Sequence, residues 1–143
     1  MSKIHFEKKF AANFEKLFKS VLDFESYPKY MPNQLESVKI LRNDTDGILT
    51  EEHISFSTII KKTIIQQTLH NCFYDSIHSK IISGAAKNTE INIKFEKTDE
   101  FVNVIVDIEL KLSVSSKILE PLIKKYYKSM FSAFLNRLYM STI

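Results

Sequence analysis

The sequence predicts an α+β fold in which a curved antiparallel sheet of seven strands packs against one long C-terminal helix. Two patterns carry this prediction. Apolar residues occupy every second position from Val102 to Val114, which is the period of a strand with one buried face. From Lys117 to Met140 the apolar residues instead recur at the helical period of about 3.6 residues. The chain also holds only two glycines and three prolines, which favours long regular elements over disordered segments.

The chain begins with a predicted strand and a predicted helix. Residues 3–10 alternate between apolar and mostly charged side chains, as in a strand with one solvent-facing side. A helical stripe of apolar residues then runs from Phe14 to Leu22, and Asn13 stands where it can cap the helix. The helix should end near Asp23, because the two prolines that follow leave room for at most one further short turn of helix.

Six further strands are predicted between residues 35 and 114. Segments rich in glycine or in polar residues mark the turns between them, at residues 43–47, 71–76, 84–88 and 97–100. A fifth turn is expected near Ser57, although no glycine occurs there. Strands joined by consecutive turns form an antiparallel meander, and strong twist curls such a sheet around a helix. At 143 residues we expect one domain, spanning residues 1–143.

Composition and charge limit the classes of function. Twenty Lys and Arg against 17 Asp and Glu give a net charge of +3, which is weaker than the field of a dedicated nucleic-acid binder, so no DNA partner is expected. Cys72 is the single cysteine, so neither an internal disulfide nor a cysteine metal site is expected. The N-terminus lacks the apolar run of a signal peptide, and the longest stretch without Asp, Glu, Lys or Arg, residues 63–74, is too short to span a bilayer. We therefore expect a cytoplasmic protein.

Two motifs carry a resemblance to a known family. Residues 21–32, VLDFESYPKYMP, place two prolines among large apolar side chains and are similar to the pattern V-x-D-x-x-x-Y-P-x-F-x-P of the coenzyme Q-binding START-domain family. Residues 130–139, MFSAFLNRLY, are similar to the C-terminal helix of that family, with looser spacing at the tyrosine. With the element order, these motifs make the chain resemble this family within the wider polyketide cyclase/dehydrase-like, helix-grip START/SRPBCC superfamily. The chain departs from the family pattern in having no tryptophan, which bears on the head group of a ligand more than on the fold.

The resemblance implies a helix-grip fold with a ligand cavity between the sheet and the long helix. The proline-bounded segment would form a flap at one end of that cavity, which would explain why a loop is so apolar. The alternative is that the same side chains fill an ordinary hydrophobic core and leave no cavity. The candidate ligand-binding residues are Tyr27, Pro28, Tyr30, Met31 and Pro32 of the flap, Phe56 beside the expected turn near Ser57, Val106, Ile108 and Leu110 of the last strand, and Leu122, Tyr126, Met130 and Phe134 of the helix.

The function implied is non-enzymatic transport or chaperoning of a hydrophobic small molecule, with a polyprenyl quinone or another lipid as the ligand. No other cofactor and no metal are expected. Each buried CH₂ group contributes about 0.8 kcal/mol, so a few prenyl units can support binding. Polar contacts that set specificity are expected from Tyr30, Tyr126 or Gln67. Peripheral contact with an anionic membrane would bring the protein to such a ligand.

A cyclase/dehydratase-type enzyme is the first alternative. Its sign would be an inward-facing acid or histidine with a strongly perturbed pKa, and the pattern does not fix the facing of Glu52 or His70. His70 and Cys72 share a strand face, but no orienting group or oxyanion site accompanies them, so we expect a partly exposed histidine beside a buried thiol. Glu51 and Glu52 otherwise have the pattern of turn or strand-end charges. Enzymatic activity stays open, and the sequence favours its absence.

A ribosome-binding or partner-binding factor is the second alternative. Lys124, Lys125, Lys128 and Arg137 are interleaved with two tyrosines on the C-terminal helix, and basic residues with aromatic ones can contact RNA. The same residues are typical of the solvated face of an amphipathic helix, which is the interpretation that we prefer.

Overall fold

The computed structural model describes residues 2–55, 63–112 and 120–143. Within these ranges, seven strands form one antiparallel sheet with the order β1-β7-β6-β5-β4-β3-β2. Two α-helices and one 3-10 helix accompany the sheet. The elements are β1 (Ser2–Phe10), α1 (Phe14–Leu22), the 3-10 helix (Phe24–Lys29), β2 (Leu35–Asp44), β3 (Gly47–Ser55), β4 (Thr63–Cys72), β5 (Ser76–Ser83), β6 (Glu90–Lys97), β7 (Val102–Leu110) and α2 (Glu120–Thr142).

The sheet topology confirms the predicted meander. Each strand from β2 to β7 pairs with the next one along the chain, and β1 returns to pair with β7, with Ser2 opposite Leu110 and Phe10 opposite Val102. The turn between β2 and β3 contains Gly47 at φ 128°, and a Cβ there would lie 2.6 Å from the backbone oxygen of His70. This close approach requires glycine at that position.

Local signals in the sequence account for the two N-terminal helices. The side-chain oxygen of Asn13 accepts a hydrogen bond from the backbone N–H of Lys16 at 3.0 Å, so the predicted N-cap of α1 is confirmed. α1 ends at Leu22, and the 3-10 helix with Pro28 inside it is the short turn that the prolines allow. These two elements close one side of the curved sheet.

The core lies between the concave face of the sheet and α2. The alternating residues of β7 are all buried, as their pattern predicts: Val102, Val104, Val106, Ile108 and Leu110. They pack with buried residues of α1 and with the inward-facing side of α2. The predicted α+β helix-grip fold is thereby confirmed.

The buried side of α2 differs from the predicted apolar stripe at Leu122, Tyr127 and Leu135. Leu122 is 50% exposed, whereas Tyr127 and Leu135 are buried. One residue turns a helix by about 100°, so Leu122 points well away from the face that Ile123, one position later, buries. The prediction that Leu122 belongs to the core face was therefore wrong. Phe56, the turn near Ser57 and Val114 lie outside the described residues.

Candidate functional site

An internal cavity of about 100 Å³ lies between the concave face of the sheet, the 3-10 helix and α2. Its wall has an apolar part and a polar part. The apolar part comes mainly from β5, β6, the 3-10 helix and α2. The polar part consists of Glu52, Gln66, Thr68, His70 and Ser79, at neighbouring inward-facing positions of β3, β4 and β5, and of Gln34, which precedes β2.

Five of the candidate ligand-binding residues line this cavity: Tyr27, Met31, Tyr126, Met130 and Phe134. The rings of Tyr27 and Phe134 meet with centroids 4.5 Å apart, so the flap segment and α2 are in direct contact. The Tyr27 hydroxyl donates to the backbone oxygen of Val21. The apolar character of the flap segment follows from this position, because Met31 is buried and Tyr27 faces the interior.

Other candidates from the flap and the last strand lie elsewhere. Val106, Ile108 and Leu110 are buried in the core, but they are not part of the cavity wall. Tyr30 packs against Phe134 with ring centroids 6.3 Å apart, also outside the wall. Pro28 and Pro32 do not line the cavity, and Pro32 is exposed. The role of all these residues in ligand binding stays a prediction.

Phe24 is a cavity residue that the sequence did not indicate. It is buried, and its ring stacks on the imidazole of His70 with centroids 4.1 Å apart. It is the first residue of the 3-10 helix, where the helical period of α1 no longer applies. The signal that could have found it is its place next to Asp23, inside the apolar flap motif.

His70 is buried, and both of its ring nitrogens are engaged. Nδ1 lies 2.6 Å from the hydroxyl of Ser79, and Nε2 lies 2.9 Å from the hydroxyl of Thr50. Burial lowers the pKa of His70 to about 4, so the imidazole is neutral at physiological pH. Cys72, one step along the same strand face, is exposed. The expected arrangement of an exposed histidine beside a buried thiol was therefore wrong, since burial is the reverse.

Glu52 lies in the middle of β3 and faces inward, on the same side as Thr50 and Ile54. Its Oε1 accepts a hydrogen bond from the hydroxyl of Thr68 at 2.5 Å. Its Oε2 is buried and has no hydrogen-bond partner among the described residues. Burial raises the pKa of Glu52 to about 7, although the hydrogen bond from Thr68 opposes the shift. The interpretation of Glu52 as a turn or strand-end charge was wrong.

Gln67, which was expected to contact the ligand, does not face the cavity. Gln67 points to the outer face, where its amide nitrogen lies 3.4 Å from Oε2 of Glu51. Gln66 lines the cavity instead. Side chains alternate between the two faces of a strand, so a difference of one position moves the amide from the outside to the inside.

An outer groove of about 570 Å³ runs along α2 beside the cavity. Lys125 and Arg137 lie on this groove, as does Leu122. The guanidinium of Arg137 donates to the backbone oxygen of Tyr30 at 2.6 Å and ties α2 to the flap segment. Four residues line both the groove and the internal cavity and form a partition between them: Met31, Gln34, Tyr126 and Met130.

The basic residues of α2 lie where the solvated-face interpretation places them. Lys124, Lys125, Lys128 and Arg137 are all exposed. In the part of the chain that the structure describes, no group of three or more His, Cys, Asp or Glu side chains is arranged to hold a metal ion. None of the helices described is both long enough and apolar enough to cross a membrane.

Solved structures with the same fold cover almost the whole chain. A protein from Thermus thermophilus has a TM-score of 0.80 at 13% identity, with 99% of this chain and 100% of that chain covered. A START superfamily protein from Mycobacterium smegmatis has a TM-score of 0.75 at 19% identity, covering 98% and 96%. The Zhui aromatase/cyclase from Streptomyces sp. R1128 has a TM-score of 0.79 at 10% identity, covering 99% and 93%. At these identities the likeness concerns the fold.

None of the curated proteins matches the chain in sequence. The family model for polyketide cyclase/dehydrase and lipid transport, however, matches residues 10–139. This range begins at the end of β1 and reaches almost to the end of α2, so it includes every wall of the cavity. The chain therefore belongs to the polyketide cyclase/dehydrase and lipid transport family.

Proposed function

We propose that this protein binds and carries a hydrophobic small molecule made of a compact ring and an apolar chain, for which a polyprenyl quinone is the leading candidate. The observation that carries the proposal is the partition between the internal cavity and the outer groove. A ligand that passes this partition would place its ring inside and its chain along α2.

The sizes of the two spaces favour such a divided ligand. An apolar cavity of about 150 Å³ binds benzene, so the internal cavity of about 100 Å³ must widen before it admits even one small ring. A prenyl chain would need the groove of about 570 Å³. A ligand that used only one of the two spaces would leave either its ring or its chain in water.

The composition of the partition suits a passage that opens and closes. Met31 and Met130 supply unbranched side chains with several rotatable bonds, which adapt to irregular shapes. Met31 follows the 3-10 helix, and Met130 lies in the middle of α2. Rotamer changes of these side chains would connect the two spaces without unfolding a helix or a strand.

Binding energy for the chain comes from buried hydrocarbon. A fully buried five-carbon prenyl unit contributes about 4 kcal/mol at about 0.8 kcal/mol per carbon group. Association itself costs at least about 4 kcal/mol, so one unit would be too little and two or three would be needed. Short-chain quinones with two or three prenyl units are therefore the appropriate first ligands.

The test begins with native mass spectrometry of the protein purified from its own cells, followed by solvent extraction. A stoichiometric quinone or lipid would support the proposal and name the ligand. Titration with a short-chain prenyl quinone should then show binding to the wild type and loss of binding in Met130→Glu. The matched control is Met140→Glu, because Met140 lies on the same helix and is 62% exposed. Equal binding by both variants, or an empty protein that ignores added quinones, would contradict the proposal.

A second candidate function is an acid–base enzyme of the cyclase or dehydratase type. Glu52 favours it, because an inward-facing carboxyl with a pKa raised to about 7 is the feature expected of such a site. Incubation with a linear poly-β-ketone thioester would produce a cyclised or dehydrated product detectable by mass spectrometry. Proton transfer by a positioned side chain contributes about 10²–10⁴-fold, so Glu52→Gln should lower the rate by at least about 100-fold. Unchanged turnover in that variant would refute a catalytic role for Glu52.

A further inference from the structure

Glu52 is the carboxyl group of the internal cavity, and it faces several other titratable groups there. His70 faces the cavity from β4, Tyr27 from the 3-10 helix, and Tyr126 and Tyr127 from α2. The pKa of Tyr27 and that of Tyr127 are both raised, chiefly by burial and in part by the charge of Glu52. No lysine or arginine is among the described residues that line the cavity, so no cation there would stabilise an ionised Glu52.

The position of the acid proton follows from the hydrogen bonds. Oε1 of Glu52 accepts from the Thr68 hydroxyl. Side-chain hydrogen bonds from Gln66 and Thr50 also lower the pKa of Glu52, but Oε2 itself has no hydrogen-bond partner among the described residues. In the neutral acid, Oε2 is therefore the oxygen that carries the proton. An O–H group that is buried without an acceptor is unfavourable, and an acceptor atom on a ligand would relieve this cost.

We infer that Glu52, as a neutral carboxylic acid, donates a hydrogen bond from Oε2 to a carbonyl oxygen of the ligand, so that the cavity selects compact rings that carry a carbonyl group. This inference rests on the proposed function, because it requires the cavity to hold a ligand. It makes Glu52 the residue that determines which rings are accepted.

His70 does not compete for this role. Thr50 and Ser79 each have a hydroxyl that can donate or accept, so either tautomer of the neutral imidazole has a partner at both nitrogens. Both nitrogens are thus satisfied within the sheet, and Phe24 stacks on the ring face. His70 therefore holds the polar side of the cavity in place and has no free N–H group to offer to a ligand.

The class of ligand follows from combining this donor with the shape of the cavity. Most of the wall is apolar, so the body of the ligand must be a hydrocarbon ring. The volume of about 100 Å³ is smaller than that of a cavity that binds benzene, so the ring is limited to one small cycle, which enters when side chains of the wall move. A quinone ring, an aryl ketone and a cyclic ketone all meet these conditions, whereas a plain hydrocarbon lacks the acceptor.

Two probes of nearly equal shape test the inference. Acetophenone carries a carbonyl oxygen where α-methylstyrene carries a methylene group, and each can be titrated against the protein by the chemical shifts of its methyl groups. The wild type at mildly acidic pH should bind acetophenone about five- to tenfold more tightly than Glu52→Leu does, which is the worth of one neutral hydrogen bond. Binding of α-methylstyrene should be equal or better in Glu52→Leu.

A second variant keeps the test decisive if Glu52→Leu folds poorly. The amide of Glu52→Gln can also donate, so this variant should keep the preference for acetophenone and hold it constant with pH. In the wild type the preference should fall as the pH rises through about 7, where Glu52 loses its proton. A ratio of the two affinities that stays constant with pH in the wild type would overturn the role of Glu52 and leave the cavity as a ligand site. Binding of neither probe would overturn the cavity site itself.

Discussion

Replacement of Glu52 by glutamine should change how the stability of the protein depends on pH. Glutamine has the shape of a neutral glutamic acid and cannot ionise, so the variant removes one titration and little else. The folded protein holds the Glu52 proton up to a pH of about 7, against an ordinary pKa of 4.5. The folded state therefore binds more protons than the unfolded state in this window, and stability falls as the pH rises through it.

The size of the change in the free energy of unfolding follows from the shift in the pKa of Glu52. A change from 4.5 to about 7 is about 2.5 pKa units, and each unit corresponds to about 1.36 kcal/mol, so the ionised Glu52 lowers the free energy of unfolding by about 3 kcal/mol above pH 7. Relative to the wild type, Glu52→Gln should therefore gain about 3 kcal/mol of stability between pH 4 and pH 8.

His70 has the opposite dependence. Burial lowers its pKa from 6.5 to about 4, so the unfolded state binds more protons between these values, and stability rises with pH there. Between about pH 4.5 and pH 6.5, the contributions of Glu52 and His70 to the pH dependence of the free energy of unfolding nearly cancel in the wild type. Glu52→Gln removes this cancellation, and its stability should rise by about 1.4 kcal/mol per pH unit from pH 4 to pH 6.5 and then stay level.

Urea denaturation followed by circular dichroism at several pH values would measure both profiles. The difference between the two proteins at each pH cancels the contributions of surface groups. The matched control is Glu51→Gln, because Glu51 is the preceding residue of β3 and points to the outer face beside Gln67. This variant also removes one carboxyl group from β3, but at a position that does not line the cavity. If the difference between Glu52→Gln and the wild type does not change with pH, Glu52 is not a buried acid, and the reasoning about the cavity fails with it.

Two further predictions concern the elements that hold the site. Asn13→Ala removes the cap of α1 and should lower the free energy of unfolding by about 1 kcal/mol. In the same urea titration Asn136→Ala, inside α2, should not lower it by a comparable amount, because the exposed hydrogen bond from Lys8 is lost but alanine favours a helix interior. Phe134→Ala removes a buried ring that contacts Tyr27 and lines the cavity, so we expect a loss of about 3–5 kcal/mol and an enlarged cavity that binds a larger ring than the wild type does. Loss of stability without any gain in affinity for the larger ring would show that the site collapses around the missing side chain.

The parts of the fold that the sequence predicted are those with a strong local pattern. β7 is buried on one face and has an apolar residue at every inward position, so its facing is unambiguous. The cap of α1 depends only on Asn13 and the three residues after it. In both cases the information lies within a few residues, and tertiary contacts agree with it.

The rest of the site depends on contacts that no local pattern contains. Leu122 is apolar, yet its position around α2 is decided by which side of the helix meets the sheet. Glu52 was associated with a turn because charged residues normally avoid inward positions. Its neighbours Thr50 and Ile54 occupy the inward phase of β3, and a carboxyl in that phase is the signal that could have identified it.

The polar side of the cavity is expensive for a protein of this size, because buried hydroxyl, imidazole and carboxyl groups stabilise less than apolar side chains of equal volume. Hydrogen bonds at both nitrogens offset the cost of burying His70, and the hydrogen bond to Glu52 offsets the cost of burying the Thr68 hydroxyl. The cost of burying Glu52 is not fully offset, because Oε2 has no hydrogen-bond partner among the described residues. Several inward positions of β3, β4 and β5 carry polar side chains in the wall of one cavity, and such a local departure from the rules of strand packing is typical of a binding site. The unsatisfied acid of Glu52 is therefore better explained by a ligand that completes its hydrogen bonds than by the requirements of the fold.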